Sequence, residues 1–139
     1  MAREKELGKE KYPLFWKRAS QFMQSMHENF ANKRNMPCVS DAVLCAIASV
    51  DSLAIYKIGK TSSSQSHFEA AAILKDIKTS DDAERNRVTS MLAGLLKMKS
   101  VAQYEDREPS GADTERAVRA CVKIYGFVKS ELQKEGAAI

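Results

Sequence analysis

Apolar residues recur at intervals of three and four along four long segments, and this spacing constrains the fold more than any other feature. In the first segment they are Phe15, Ala19, Phe22, Met23, Met26 and Phe30. The same spacing continues through residues 43–55, 88–102 and 117–132. It places apolar side chains on one face of an α-helix, and no segment alternates as a half-buried strand does. The sequence therefore predicts an all-α protein.

Capping residues and helix breakers set the ends of the first two predicted helices. The first covers residues 12–32, with Pro13 in the first turn, where its missing N–H costs nothing. The second begins after Pro37 with Ser40 as its N-cap, and it ends at Gly59, which can adopt the left-handed conformation of a C′ residue. Small residues are frequent in this helix, so we expect a close neighbour on that face, inside the protein or in another subunit.

Three more helices follow in the second half of the chain. The third is short and covers residues 67–78, and the fourth covers residues 80–103. The last begins near Asp113 or Thr114, after a loop at residues 105–112 that contains proline and glycine. Four long helices and one short helix with short connections predict an antiparallel up-and-down bundle.

Length and composition indicate one soluble domain. The chain has 139 residues, of which 44% are hydrophobic and 29% charged, so a single core is attainable, and we place it at residues 12–133. We find no uninterrupted apolar run of the roughly 18 residues that cross a bilayer. The charged N-terminus has no apolar segment of a secretory signal. We therefore expect a cytoplasmic protein that does not contact membranes.

The net charge of +4 permits contact with nucleic acid but does not require it. The densest cationic positions are Lys17 with Arg18, Lys33 with Arg34, and Lys97 with Lys99. Such short groups are more typical of solvated helix faces than of a binding surface.

Cysteine and histidine give no sign of a metal or of a disulfide framework. Cys38, Cys45 and Cys121 form no CxxC spacing, and the last two lie among apolar residues, which favours burial in the core. Neither His27 nor His67 has a glutamate three residues before it, as a di-iron bundle requires. We predict no metal and no cofactor.

The residues Gly59, Lys60 and Thr61 spell the end of a phosphate-binding P-loop. The first glycine of that motif should lie five residues earlier, where the chain has Ala54, and a strand should precede the loop. The segment is better explained as a polar linker between helices at residues 60–65, followed by a capping box that starts at Ser66.

Three segments in order resemble the HEPN family of helical-bundle domains. They are SDAVLCAIASVDSLAIYKIGK, SHFEAAAILKDI and LLKMKSVAQYED, and the resemblance covers residues 12–133. It implies an up-and-down bundle that forms a dimer. Many members are RNA-cutting toxins paired with a small nucleotidyltransferase. The active ones carry Arg-x(4–6)-His, which forms a metal-independent composite site across the dimer.

This chain departs from the HEPN motif at the residues that carry the chemistry. No Arg-x(4–6)-His occurs, and Lys99 and Tyr104 stand at the matching place. Tyrosine, with a pKa of about 10, is a poor base near neutral pH, and lysine lacks the planar fork that clamps a phosphate. The resemblance therefore implies a module that is not an enzyme. It would dimerise and bind a partner protein of the nucleotidyltransferase type.

Lys99, Tyr104 and His67 are the candidate contacts for a nucleotide or RNA. Two alternatives stay open: a ribonuclease toxin with a diverged site, and a structural homodimer of unrelated ancestry. The dimer face is also open. It could be the aromatic and methionine stripe of the first helix, which we otherwise assign to the core, or the small-residue face of the second.

Overall fold

The computed structural model describes residues 4–62, 68–104 and 107–139, and within them the all-α prediction is confirmed. A single 3₁₀ turn at Lys9–Lys11 precedes the first helix. The helices are α1 (Tyr12–Ala31), α2 (Asn35–Ile58), α3 (Phe68–Asp76), α4 (Asp82–Tyr104) and α5 (Gly111–Lys134). Helix α3 is the short one, as predicted. The predicted N-cap Ser66 lies outside the described residues.

The chain also contains two short strands, which the sequence analysis did not predict. Strand β1 (Glu4–Glu6) pairs antiparallel with β2 (Lys60–Ser62). The pairing continues into a hydrogen bond from the Leu7 N–H to the Gly59 carbonyl, at 2.8 Å. Three residues are too few to show an alternating pattern, so the prediction of a polar linker at 60–65 was wrong for its first half.

Helix α2 begins six residues earlier than predicted, since its N-cap is Arg34 and not Ser40. Its first residue is Asn35, and Pro37 is the third residue of the helix rather than a residue before it. Proline is tolerated in a first turn because the N–H groups there have no partner within the helix. Ser40 therefore lies inside α2 and does not cap it. The predicted end is confirmed, since Gly59 adopts the left-handed conformation with φ 66°.

Helix α5 begins at Gly111, two to three residues before the predicted start. Ser110 is the N-cap, and its hydroxyl oxygen accepts a hydrogen bond from the Asp113 N–H at 3.0 Å. At the other end Gly136 has φ 85°, and its N–H donates to the Gln133 carbonyl at 3.0 Å. This is a Schellman ending, in which a left-handed residue lets the last carbonyls find partners.

Helix α2 is the centre of the molecule, because α1, α3, α4 and α5 all pack against it. Its small residues are buried within this one chain: Ala42, Ala46, Ala48, Ser49, Ser52 and Ala54. They let neighbouring helices approach closely. The small-residue face of α2 is therefore part of the core and not a free surface.

Part of the predicted stripe of α1 belongs to the core, although Phe30, predicted on the same face, is 40% exposed. The ring of Trp16 stacks on that of Tyr125 with centroids 4.4 Å apart, and Met26 is fully buried. The Tyr125 hydroxyl shares a hydrogen bond with the Ser20 hydroxyl at 3.0 Å. Cys38, Cys45 and Cys121 are free and buried, as predicted for the last two.

Among the described residues, one helix is long and apolar enough to meet the criterion for a membrane span. An 18-residue window within α2 has a mean hydropathy of 1.8, which by length and composition would suffice for a membrane span. However, 78% of that window is buried inside the protein. The central helix of a globular protein meets the same criterion, because its apolar residues face other helices on all sides.

Candidate functional site

Of the three predicted contact residues, the structure places the side chain of one. Lys99 lies on α4 and is half-buried, and this loss of hydration lowers the pKa of its ammonium group. Tyr104 is the last residue of α4, but its side chain lies outside the described part of the structure. His67 also lies outside the described residues. The role of these three residues as contacts for a nucleotide or RNA therefore stays a prediction.

A cleft of about 220 Å³ opens beside Lys99, where the end of α4 meets the start of α5. The residues that line it are Val39, Lys97, Met98, Arg107, Pro109, Asp113 and Arg116. We call it the cationic cleft. The lysine that lines the cleft from α4 is Lys97, and Lys99 follows it two residues later on the same helix.

Three cations and one carboxylate leave the cationic cleft with a net positive charge. Asp113 pairs with Arg116 on the next turn of α5, and its carboxylate lies 3.9 Å from a guanidinium nitrogen of Arg107. Hydrogen bonds from Ser110, followed by the charges of Arg116 and Arg107, lower the pKa of Asp113. The carboxylate is therefore ionised near neutral pH, and the two arginines are held where they can exchange it for another anion.

Hydrogen bonds to the loop before α5 fix the shape of the cleft. The Asn35 side-chain amide, at the start of α2, donates to the Pro109 carbonyl at 3.1 Å. Pro109 is buried, and the Ser110 N–H donates back to the Asp113 carboxylate at 3.4 Å. The first turn of α5 is thus tied to α2 and to its own cap, which positions Asp113 and Arg116.

The cationic cleft contains the chemical groups that bind an anion such as phosphate. Guanidinium groups bind phosphate oxygens in pairs, and the partly exposed side chain of Met98 offers an apolar surface for a base or sugar. Among the described lining residues there is no imidazole, thiol or hydroxyl group. The described residues also contain no group of three or more His, Cys, Asp or Glu side chains that could hold a metal ion.

A second concave region, about 630 Å³ in volume, adjoins the cleft and shares Arg116 with it. Its lining is Met91, Arg116, Val118, Arg119, Ala120, Val122 and Lys123. We call it the apolar groove. Met91 and Val122 are 37% and 44% exposed, which is high for large apolar side chains. The groove therefore presents apolar surface between α4 and α5, with cations along one edge.

Met91 and Val122 lie on this surface, and the sequence did not predict that position for either residue. Met91 was predicted on the inward face of the fourth helix, but it points out into the groove. Val122 is not part of the inward stripe of the last helix. An apolar residue among polar ones is a candidate contact, so the position of Val122 could have predicted this surface. Arg107 and Arg116 carried no such signal, since exposed arginines are ordinary in loops and on helices.

The chain has no match among models of protein families, among curated proteins or among solved structures. Its function is therefore inferred from its own residues.

Proposed function

We propose that this chain is a HEPN-like helical module that is not an enzyme, forms a dimer and binds a partner protein. We further propose that it contacts the phosphates of RNA or of a nucleotide. The cationic cleft is the observation that carries the proposal. It brings Lys97, Arg107 and Arg116 together, and Lys97 lies two residues before Lys99, which the HEPN resemblance singled out.

The fold proposed with this function is the antiparallel up-and-down bundle of α1, α2, α4 and α5. The packing of α2 against the other three supports it. A connection of only three residues, 32–34, joins α1 to α2, and such short connections favour antiparallel neighbours. The burial of α2 within the protein supports a cytoplasmic location away from membranes.

Phosphate contact is supported by charge and shape together. Cations that line a concave site focus a positive potential and attract an anionic ligand. The hydrogen bonds from Ser110, followed by the charges of Arg116 and Arg107, lower the pKa of Asp113, so its carboxylate is a weak base toward a ribose hydroxyl. Among the described lining residues, nothing else could accept that proton near neutral pH, and this supports binding without cleavage.

RNA binding is the first test, measured by the fluorescence anisotropy of a labelled single-stranded RNA added to the full chain. We expect Lys97→Glu with Arg107→Glu to weaken binding by about tenfold or more, and the salt dependence of binding to become less steep. The matched control is Lys129→Glu with Lys17→Glu, which changes charge equally at exposed positions away from the cleft. Equal losses in both variants would mean that the cleft is not the site.

RNA cleavage without metal tests the statement that the chain is not an enzyme. We expect a mixed RNA pool to stay intact with the parent chain and with Lys99→Ala and Tyr104→Phe. Cleavage by the parent that these substitutions abolish would overturn this part of the proposal in favour of the ribonuclease alternative.

Sedimentation velocity over a wide concentration range tests dimerisation separately. We expect the sedimentation coefficient to rise from that of a monomer to that of a dimer. A monomer at every concentration would contradict the dimer and leave the cleft as a monomeric binding site.

A further inference from the structure

We infer that the apolar groove is the docking site for an acidic amphipathic helix of the partner protein. This inference rests on the proposed function, since it specifies the surface and the chemistry through which the partner binds. It concerns the residues that line the apolar groove. Of the residues that line the cationic cleft, it involves Arg116, which lines both.

The groove has the shape that an amphipathic helix needs. Val118 and Val122 lie one turn apart on α5, and Met91 faces them from α4. A helix that packs into a groove inserts side chains spaced at i, i+3 or i+4, and i+7. Gly126 follows Val122 by one further turn, and nothing lies within 4 Å of the position that a Cβ would occupy there. Space therefore continues beyond Val122 along α5.

The edge of the groove selects an acidic partner. Arg116, Arg119 and Lys123 follow one another at steps of three and four along α5, on the same side of the helix. The side chains of Arg116 and Arg119 are 69% and 76% exposed and pair with Asp113 and Glu115. Such exposed pairs are worth at most about 1 kcal/mol, so carboxylates of a partner can replace them.

Lys123 strengthens this selection. Within the described segments it makes no ion pair, so its charge is not neutralised by a neighbour of the same chain. A partner helix with glutamates beside its apolar stripe would place one of them against this ammonium group. Complementary charge at the edge of an apolar surface steers association and sets orientation.

Two other occupants fit the groove less well. In a two-fold symmetric dimer built on this surface, each patch meets its own copy, so the arginines and lysine would come close to like charges. Single-stranded RNA binds on aromatic rings that stack with bases, and the described groove lining contains no aromatic residue.

The probe for this inference is a synthetic, helix-forming peptide of about 18 residues, long enough to be partly helical alone. It carries leucines at i, i+4, i+7 and i+11 and glutamates beside them. A second peptide has lysine at each glutamate position. We expect the full chain to bind the acidic peptide at least about tenfold more tightly than the basic one, measured by fluorescence anisotropy. Equal affinities would overturn the inference.

Variants of the groove locate the binding. We expect Arg119→Gln with Lys123→Gln, and separately Val122→Ser, each to weaken the acidic peptide by about fivefold or more. The matched controls are Lys129→Gln with Lys17→Gln for charge, and Leu14→Ser for an exposed apolar residue, because Leu14 is 50% exposed on α1. Controls that weaken binding as much as the groove variants would overturn the inference. Circular dichroism verifies that every variant is folded.

Two further readouts separate the groove from the other proposals. Lys97→Glu with Arg107→Glu should weaken the binding of RNA. It should leave the affinity for the acidic peptide within about twofold of that of the parent chain, since Arg116 is unchanged. If Val122→Ser weakens the binding of RNA but not the binding of the peptide, the groove binds nucleic acid and the inference is wrong. If Val122→Ser converts a dimer to a monomer, the groove is a self-association surface and the inference is likewise wrong. If the parent chain binds the acidic peptide but no RNA, the cleft proposal fails and the groove inference stands.

Discussion

At the scale of single residues, Glu131 joins the end of α5 to the turn before α4. It is only 5% exposed, and its carboxylate accepts hydrogen bonds from the Ser80 N–H at 2.9 Å and the Ser80 hydroxyl at 2.7 Å. Burial alone would raise the pKa of Glu131, but the bonds from Ser80 and the charge of Lys134 outweigh it and lower the pKa. The ionised form is therefore the one that the fold stabilises.

We expect Glu131→Gln to lower the free energy of unfolding by about 1–3 kcal/mol at pH 7, because it removes a charged acceptor and sets an amide N–H₂ against two donors. The folded pKa lies below the usual 4.5, so the contribution is complete above 4.5 and disappears as the pH falls through the lowered value. Urea denaturation at neutral and acidic pH measures both effects. Glu135→Gln is the control, since Glu135 is 41% exposed and pairs only with Lys57 at the surface.

A cost for Glu131→Gln that does not change between neutral and acidic pH would show that the carboxylate is not ionised in the folded protein. A cost no larger than that of Glu135→Gln would show that burial of Glu131 adds nothing.

At the scale of elements, the start of α5 positions the candidate site. The capping box of Ser110 and Asp113 fixes the first turn, and Arg116 lies on the next one. A helix that begins here satisfies two N–H groups that would otherwise lack partners. The cap and the cationic cleft are therefore one local structure, since Asp113 belongs to both.

We expect Ser110→Ala to lower the free energy of unfolding by about 1 kcal/mol, the usual loss of an N-cap. The pKa of Asp113 should rise, because the hydrogen bonds from Ser110 are the first cause of its lowering. Chemical denaturation and NMR titration of Asp113 measure the two effects. Ser130→Ala is the control, since Ser130 is exposed within α5 and caps nothing. An unchanged Asp113 pKa would contradict the assignment of the capping box.

The ends of elements were harder to predict than their existence, for physical reasons. Ser110, Asp113 and Thr114 are all good caps within five positions, and the buried Pro109, fixed by a tertiary hydrogen bond, selects the first of them. Pro37 was interpreted as a stop before the second helix, although a first turn tolerates proline. The helical stripes themselves were predictable because periodicity is a local property of the sequence.

The candidate site was predictable only near Lys97 and Lys99. Periodicity says that Arg116 points outward and says nothing of Arg107, which lies in a loop, and it does not say that the end of α4 lies against the start of α5. That proximity depends on how both helices pack on α2. The position of Met91 could not be predicted for the same reason. Its spacing in the helix is compatible with burial in the core and with exposure in the neighbouring groove.

At the scale of the whole molecule, α2 packs against each of the other four described helices. Cys38 and Cys45 lie two turns apart on α2, and Cys121 reaches them from α5. All three are fully buried. Burial, followed by the nearby charge of Asp41, raises the pKa of Cys38 to about 11. A hydrogen bond with Cys45, followed by burial, raises the pKa of Cys121.

The rate at which these buried thiols react can be used to measure how often the helices separate. A thiolate-specific reagent can reach them only when helices separate, so the labelling rate reports the opening equilibrium. We expect labelling in native buffer to be slower than that of an unfolded control by a factor on the order of a thousand or more. The three sites, separated by mass spectrometry, should react together if the helices open in one cooperative step. Fast labelling of Cys38 alone would instead identify the α1–α2 end as the part that opens first.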